Sequence, residues 1–530
     1  MCITRSCRHY MSGNRNVLKL HERGIFENVF PEERSPDLLR ALKGAPVCCY
    51  SGFDPTADSL HIGNLMVIIA LLHCQRAGHQ TIALVGGATA QIGDPSGKTK
   101  ERTPMDLETI ESNVTSIKSS LKRIFRNHQE YFCQNEKDIQ PIKIMNNAEW
   151  YSNRNVVEFL STVGRHFRMG TMLGRHSVQT RLKSPDGMSF TEFTYQMFQA
   201  YDWLHLYRNY NCLIQVSHCM TCDQCVLWFQ VCCATVYAVV PGLTVPLIKS
   251  TTGDKLGKTA GNAVWLNSDK TSPFELYQFY LNLPDADMER FLKTFTFLSN
   301  EDITRIIIDH KDKPELRKAQ KKLAENVTLL IHGEEGLQSA VRCTEALFHG
   351  SAESLARLSA QDMTNLFRSA PTKELFLEPG TTVFDTVMKA GCFSREVDAD
   401  RVIKAGGVYI NHRRMTQADN VLIPGEHILP NNVTLVRVGK CVILPCFVLP
   451  CLASLILCYV ILPITIMPYC LCGGTASSPV RSIPIYLLPH LSDLFLAFRL
   501  SVTHFHYPSC VHVRGRNQAV VVVHLSKYIP

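Results

Sequence analysis

No acidic residue precedes Glu22, and no apolar run near the start reaches the length of a secretory signal core. That argues against secretion. The basic, serine-containing start, with Arg5, Arg8, Arg15 and Lys19, instead has the composition of a mitochondrial presequence over residues 1–20. An excess of one charge is also lacking. The formal net charge is +8 over 530 residues, which excludes a histone-like polycation and permits RNA contact without arguing for it. Hydrophobic residues make up 45% and charged residues 19%, the balance of an ordinary soluble enzyme. The length calls for roughly two to four domains.

What is present is unevenly spread. Six of the 21 cysteines fall in 212–233 and seven more in 441–510. The rest are scattered, as expected of reduced thiols in a cytosolic or matrix protein. Residues 441–530 hold five Lys/Arg and a single acid, Asp493. These two segments look foreign to the remainder.

Residues 46–89 read as one βαβ unit. PVCCYSGF (46–53) is a short apolar strand, a helix starts near His61, and its apolar residues lie nearly all round, so it is expected to be buried. Gly78 is its stop, and TIALVGG (81–87) is the next strand, broken by glycines. A right-handed crossover makes the two strands parallel. Ligands of such sheets sit at the carboxyl ends of the strands, where SGFDPTADSLHIGN and GGATAQIGDPSGKTKER lie. Gly93–Thr99 and Gly253–Thr259 both end in Gly-Lys-Thr, but each has three residues between its glycines where a P-loop needs about four. A P-loop NTPase is excluded on that spacing.

Two other signatures stand in order. His61-Ile62-Gly63-Asn64 sits at a strand-to-helix turn, where an imidazole beside the helix N-terminus can meet a phosphate. Much later comes Lys255-Leu256-Gly257-Lys258-Thr259, after the strand LTVPLI. Together they resemble the HIGH and KMSKS signatures of class I aminoacyl-tRNA synthetases, and the chain resembles the mitochondrial and bacterial tyrosyl-tRNA synthetases over roughly 20–215 and 241–440. In TEFTYQMFQAYDWLHLY, Tyr195, Gln199 and Asp202 are spaced by four and three, which puts them on one helical face.

The resemblance implies the following site. Tyr50 and Asp202 match the residues that hydrogen-bond the substrate phenol. Asp94, Tyr195 and Gln199 match the receivers of its ammonium, with Gln215 also on the tyrosine side. ATP is expected on Gly52, Asp54, His61, Gly63, Asn64, Lys255 and Lys258. Cationic stabilisation of departing pyrophosphate is assigned to His61, Lys98, Arg102, Lys255, Lys258 and Thr259. ATP arrives with Mg2+; no protein metal ligand, covalent nucleophile or prosthetic group is implied.

The implied architecture is α/β: a Rossmann-type parallel-sheet catalytic domain at 21–270, then a helical anticodon-binding domain at 271–370. Ser272 and Glu275 form a capping box there, and Gly333 is a helix stop. A linker at 371–381 leads to a small α+β RNA-binding domain at 382–440, like one shared with a ribosomal small-subunit protein. Its Lys404, Arg413 and Arg414 would contact phosphates of tRNA(Tyr). The partners implied are tRNA(Tyr), tyrosine and ATP, in a homodimer.

Two departures stand out. After Leu213-Ile214-Gln215 the family carries Gly-Gly-Ser-Asp-Gln; here VSHCMTCDQCVLWFQ follows. Cys219, Cys222 and Cys225 would need a fourth ligand, Cys232 or His218, to hold a metal. We read 216–241 more simply as untranslated sequence read through. Residues 441–472 are uncharged and long enough for a bilayer, but Pro445, Pro450, Pro463 and Pro468 argue against a clean membrane helix. We read 441–530 as a replaced C-terminus outside the fold, with no membrane partner.

Overall fold

The structure, a computed structural model, describes residues 17–30, 35–43, 45–96, 100, 102–134, 139–218, 241–247, 258–259, 262–349, 352–367, 373–376, 378, 380–431, 433–439, 442–449 and 519–520. The chain divides into two compact units, residues 1–350 with 358–368 and residues 351–357 with 369–530.

In the first unit a six-stranded sheet has the order β1-β6-β5-β2-β3-β4. Its strands are β1 (Asn28–Phe30), β2 (Cys48–Phe53), β3 (Gln80–Val85), β4 (Lys143–Asn146), β5 (Cys212–His218) and β6 (Gly242–Val245). Five run parallel and β1 is antiparallel at the edge. The chain winds outward through β3 and β4 on one side of β2, then through β5 and β6 on the other. The reversal therefore falls between β2 and β5, where such sheets open a crevice at the strands' carboxyl ends. β2 and β3 are buried almost throughout, as parallel strands covered on both faces must be.

Helix α1 (Ile62–Arg76) is buried at every position except Gly63 and Asn64, and Gly78 at φ +83° turns the chain back. Further helices of this unit include α2 (Leu107–Phe132), α3 (Phe190–Tyr210), α4 (Pro273–Leu281) and α5 (Lys318–Thr344). Ser272 and Glu275 do form the capping box of α4, and α5 breaks at Gly333, φ +74° and ψ −174°. Two short strands, β7 (Lys258–Thr259) and β8 (Asn262–Ala263), form a hairpin.

The expected break at 270/271 is not a break in the core. Ile68 of α1, Ile124 of α2, Tyr280 of α4 and Leu330 of α5 belong to one buried cluster. The helices after 272 bury their apolar faces against one another and against α1 and α2. Helix α6 (Ala360–Phe367) is tied to α5 by Asp362, which accepts from the Arg342 guanidinium at 3.1 Å and the Ser339 hydroxyl at 2.5 Å. A second difference lies at the start. Val17 and Leu20 are buried in the same core, and the Arg23 guanidinium donates to the carbonyls of Lys293, Thr296 and Leu298. The expected presequence over 1–20 therefore overlaps the fold at Val17–Leu20.

The second unit packs α7 (Val383–Lys389) and α8 (Glu396–Lys404) on a sheet of β9 (Lys373–Phe376), β10 (Val408–Ile410), β11 (Arg413–Met415), β12 (Val433–Val438), β13 (Val442–Leu449) and β14 (Ala519–Val520). Its apolar cluster joins Val387, Ile403, Ile410 and Val436. Two boundaries are corrected here. The linker at 371–381 contains β9, and the tail read as outside the fold contributes β13, which pairs antiparallel with β12 and parallel with β9. Gly439, at φ +62°, turns β12 back, and the uncharged run that follows suits a central strand better than any helix. Residues 450–518 lie outside the described residues, and so does the membrane question they raised. No described helix is long and apolar enough to cross a bilayer.

Candidate active site

The crevice between β2 and β5 holds a cavity of about 170 Å3. β2 and the residue after it bring Tyr50, Gly52 and Asp54, and α3 brings Tyr195, Gln199 and Asp202. β5 brings Gln215, while Asn64 and Asp94 complete the wall. The three α3 residues share a face as their spacing required. A Cβ at Gly52 would meet nothing within 4 Å, so that part of the wall is open space.

Asp202 sits at the floor, 4% exposed. The Asn147 amide donates to its Oδ2 at 2.9 Å and the Trp150 indole to its Oδ1 at 3.0 Å. Burial pushes its carboxyl up to about 7, against the pull of these hydrogen bonds. Tyr50 is 1% exposed, its ring 5.8 Å from that of Trp203. Asp54 accepts from the Thr89 hydroxyl and the Tyr195 hydroxyl, both at 2.7 Å. Burial raises Asp54 to about 6, and the neighbouring Asp94 adds to the rise. Having given its hydrogen to Asp54, the Tyr195 hydroxyl can only accept from a further group, which suits an ammonium. Among the described residues, buried Gln199 Oε1 and Ser217 Oγ have no hydrogen-bond partner. Both line the cavity. Buried acceptors left without donors are costly unless a ligand supplies them.

Sequence reasoning missed four members of this shell. Gly86 is fixed by Asp54, because a Cβ there would stand 2.0 Å from Asp54 Oδ1. Its only sequence signal was the break in TIALVGG. Thr89, Asn147 and Trp150 carry no motif, and they act on Asp54 or Asp202 from other elements.

The turn at His61 is built differently. His61 caps α1: its Nδ1 accepts from the Asn64 amide at 3.4 Å, and Asn64 Oδ1 accepts from the His61 amide at 3.0 Å. The ring folds over Gly63, where a Cβ would lie 2.7 Å from His61 Cε1. A backbone bridge pairs His61 with Trp265, and the Ile62 amide donates to the Val264 carbonyl at 3.1 Å. The His61 turn is thereby brought beside the chain that leaves the β7–β8 hairpin. Lys258 and Thr259 form β7; Lys98 and Lys255 lie outside the described residues. Arg102 lines a neighbouring cavity rather than the one between β2 and β5, its Nε donating to the Asp94 carbonyl at 2.9 Å. Cys219, Cys222, Cys225 and Cys232 are likewise outside the described residues. Val216–His218 continue β5 in register with β6, so the read-through expected from 216 begins inside a strand. No described group of three or more His, Cys, Asp or Glu is placed to hold a metal.

In the second unit, Lys404 pairs with Asp400 at 2.7 Å and Arg413 with Glu426, all exposed. Arg414 donates to the carbonyls of Gly406 and Ala405, both at 2.9 Å.

Comparison with known proteins places this geometry. The family model "tRNA synthetases class I (W and Y)" matches residues 42–349. The chain is 48% identical over 436 residues to a mitochondrial tyrosine–tRNA ligase of Drosophila melanogaster, covering 82% of this chain and 94% of that one. It is 47% identical to the human mitochondrial tyrosine–tRNA ligase, covering 81% and 91%. A C-terminally truncated mitochondrial tyrosyl-tRNA synthetase of Coccidioides posadasii matches with a TM-score of 0.56 at 30% identity, over 62% of this chain and 90% of that one.

Proposed function

The chain belongs to the class I tRNA synthetases of the tryptophan and tyrosine type, and from that membership we propose an ATP-dependent tyrosine–tRNA ligase of mitochondria. The observation that carries the substrate is the α3 cavity, whose lining includes Tyr50 and Asp202 as one pair and Tyr195, Gln199 and Asp94 as a second set. A phenol fits the first pair and an ammonium the second set. Phenylalanine would leave the phenol pair without its hydrogen bond.

The tyrosine carboxylate attacks the α-phosphorus of ATP, the bond to the bridging oxygen breaks, and pyrophosphate leaves. The terminal ribose hydroxyl of tRNA(Tyr) then displaces AMP from the adenylate. Mg2+ enters as part of the substrate. This chain's part is positioning and cationic stabilisation: His61 at the α1 N-terminus, Arg102 beside Asp94, and Lys98, Lys255, Lys258 and Thr259 on the two basic loops. Gly52 leaves room for the nucleotide, Gly63 leaves room for the His61 ring beside it, Asn64 lines the same cavity, and Asp54 holds Tyr195 in place. Lys404, Arg413 and Arg414 receive tRNA phosphates. The domain limits of this reading are a first unit carrying catalysis with the helical stretch, and a second carrying the RNA-binding module. A homodimer is supported by exposed apolar side chains gathered within 156–190: Val156, Val157, Leu160, Met169, Leu182 and Phe190.

A second reading, an RNA-binding homologue without activation, is favoured by the absence of Gly-Gly-Ser-Asp-Gln after Gln215. Tyrosine-dependent ATP–pyrophosphate exchange by the chain lacking residues 1–16 decides between them. Exchange with tyrosine and none with phenylalanine supports the ligase; silence with both supports the binding protein.

A further inference from the structure

The tyrosine-binding stripe of α3 has a fourth member that the reaction outlined above does not use. Glu192 precedes Tyr195, Gln199 and Asp202 by three, seven and ten residues, so it lies on the same face at the first turn of the helix. It is 3% exposed and its Oε2 accepts from Arg181 Nη2 at 2.7 Å; the Arg181 side chain is fully buried. Neither partner ends there. Arg181 Nη1 donates to the Lys100 carbonyl at 2.8 Å and Nη2 to the Gly187 carbonyl at 3.2 Å. Glu192 Oε1 accepts from the Arg102 backbone amide at 3.2 Å. Arg102 then reaches back, through Nε, to the carbonyl of Asp94 on the cavity wall.

A buried ion pair is expensive to desolvate and is weak evidence for stability. This one holds backbone groups of Lys100 and Arg102, residues of the basic loop. We propose that Arg181 and Glu192 are positioning residues that register Arg102 against the tyrosine-binding face of α3, so that one helix sets both the amino-acid geometry and the cation that meets the departing pyrophosphate. The proposal rests on the ligase reading. A fork of fixed shape is needed to reach Glu192 and two carbonyls at once, which explains arginine rather than lysine at 181.

The test measures tyrosine-dependent pyrophosphate exchange and, by equilibrium dialysis, tyrosine affinity for wild type, Glu192→Gln and Arg181→Lys. Glu192→Gln keeps the volume and an oxygen for the Arg102 amide but removes the charge. The expected result is a fall in kcat of about ten-fold with tyrosine Kd within about two-fold. In an Arg102→Ala background the same substitution is expected to change kcat less than about two-fold, because its effect runs through Arg102. Equal losses in both backgrounds, or a fall in kcat accompanied by a comparable rise in Kd, would reduce the pair to a general packing role and overturn the proposal. If the wild-type chain is itself silent, the ligase reading fails instead, and hydrogen exchange at the Arg102 amide judges the pair. Glu192→Gln must then speed that amide about ten-fold while β2 amides keep their wild-type rates; unchanged exchange overturns it.

Discussion

In the cavity between β2 and β5, Asp202 and Tyr195 are buried and held by partners distant in sequence, whereas the cations of the second unit stand exposed and are held by near neighbours. Asp202 is gripped by Asn147 and Trp150, more than fifty residues away. Lys404 leans on Asp400 one turn earlier, and Arg414 on carbonyls eight and nine residues back. The first arrangement is desolvated, so each missing partner is felt strongly. The second is wet, and an exposed pair contributes about 0–1 kcal/mol, so a phosphate can displace Asp400 or Glu426 at little cost. Selectivity is thus expected from the first region and salt-sensitive grip from the second.

Removing the floor of the cavity is the strongest challenge to that contrast. Asp202→Ala leaves the Asn147 and Trp150 donors without an acceptor, and kcat/KM for tyrosine in pyrophosphate exchange should fall about a thousand-fold. A loss under ten-fold would mean the desolvated shell is not where selectivity lies. The next effect is titration. With Asp202 raised to about 7, its carboxylate is progressively protonated as pH falls from 8 to 6. KM for tyrosine should rise up to about ten-fold over that span, and a flat profile would show that the phenol does not depend on the ionised form. Gly63→Ala tests the phosphate side: its Cβ must push the His61 ring away, and kcat should drop about five-fold with KM for tyrosine unchanged. The smallest effect belongs to the wet region. Arg413→Ala with Arg414→Ala should raise KM for tRNA about three-fold and flatten its dependence on log salt by about two, leaving pyrophosphate exchange untouched.

How much of this was legible in the chain follows from the same contrast. The α3 stripe, the His61 turn and the Ser272 cap were readable because spacing within one element carries them. Asn147 and Trp150 were not, since a residue that serves a carboxylate fifty positions away leaves no local period. Glu192 was hidden in plain view at the head of a stripe already noticed. The second unit misled at both ends. In sequence the run from 441 reads as outside the fold, its prolines arguing against a clean membrane helix, yet Pro445 lies within β13, a strand whose partners supply the order. The catalytic boundary at 270 failed because apolar periodicity says that a helix needs a core, not which one.

Trp150 donates to Asp202, the Trp203 ring lies 5.8 Å from that of Tyr50, and Trp265 lies 6.3 Å from the His61 ring. Three of the four tryptophans therefore stand beside the two ends of the proposed site, the fourth being Trp228 outside the described residues. Ultraviolet emission from the molecule is consequently a built-in reporter. Replacing Trp265 by phenylalanine would leave a signal dominated by arrival of the amino acid, and keeping Trp265 while replacing Trp150 would weight it toward the nucleotide. The order in which the two substrates enter can thus be read by light, with no label attached.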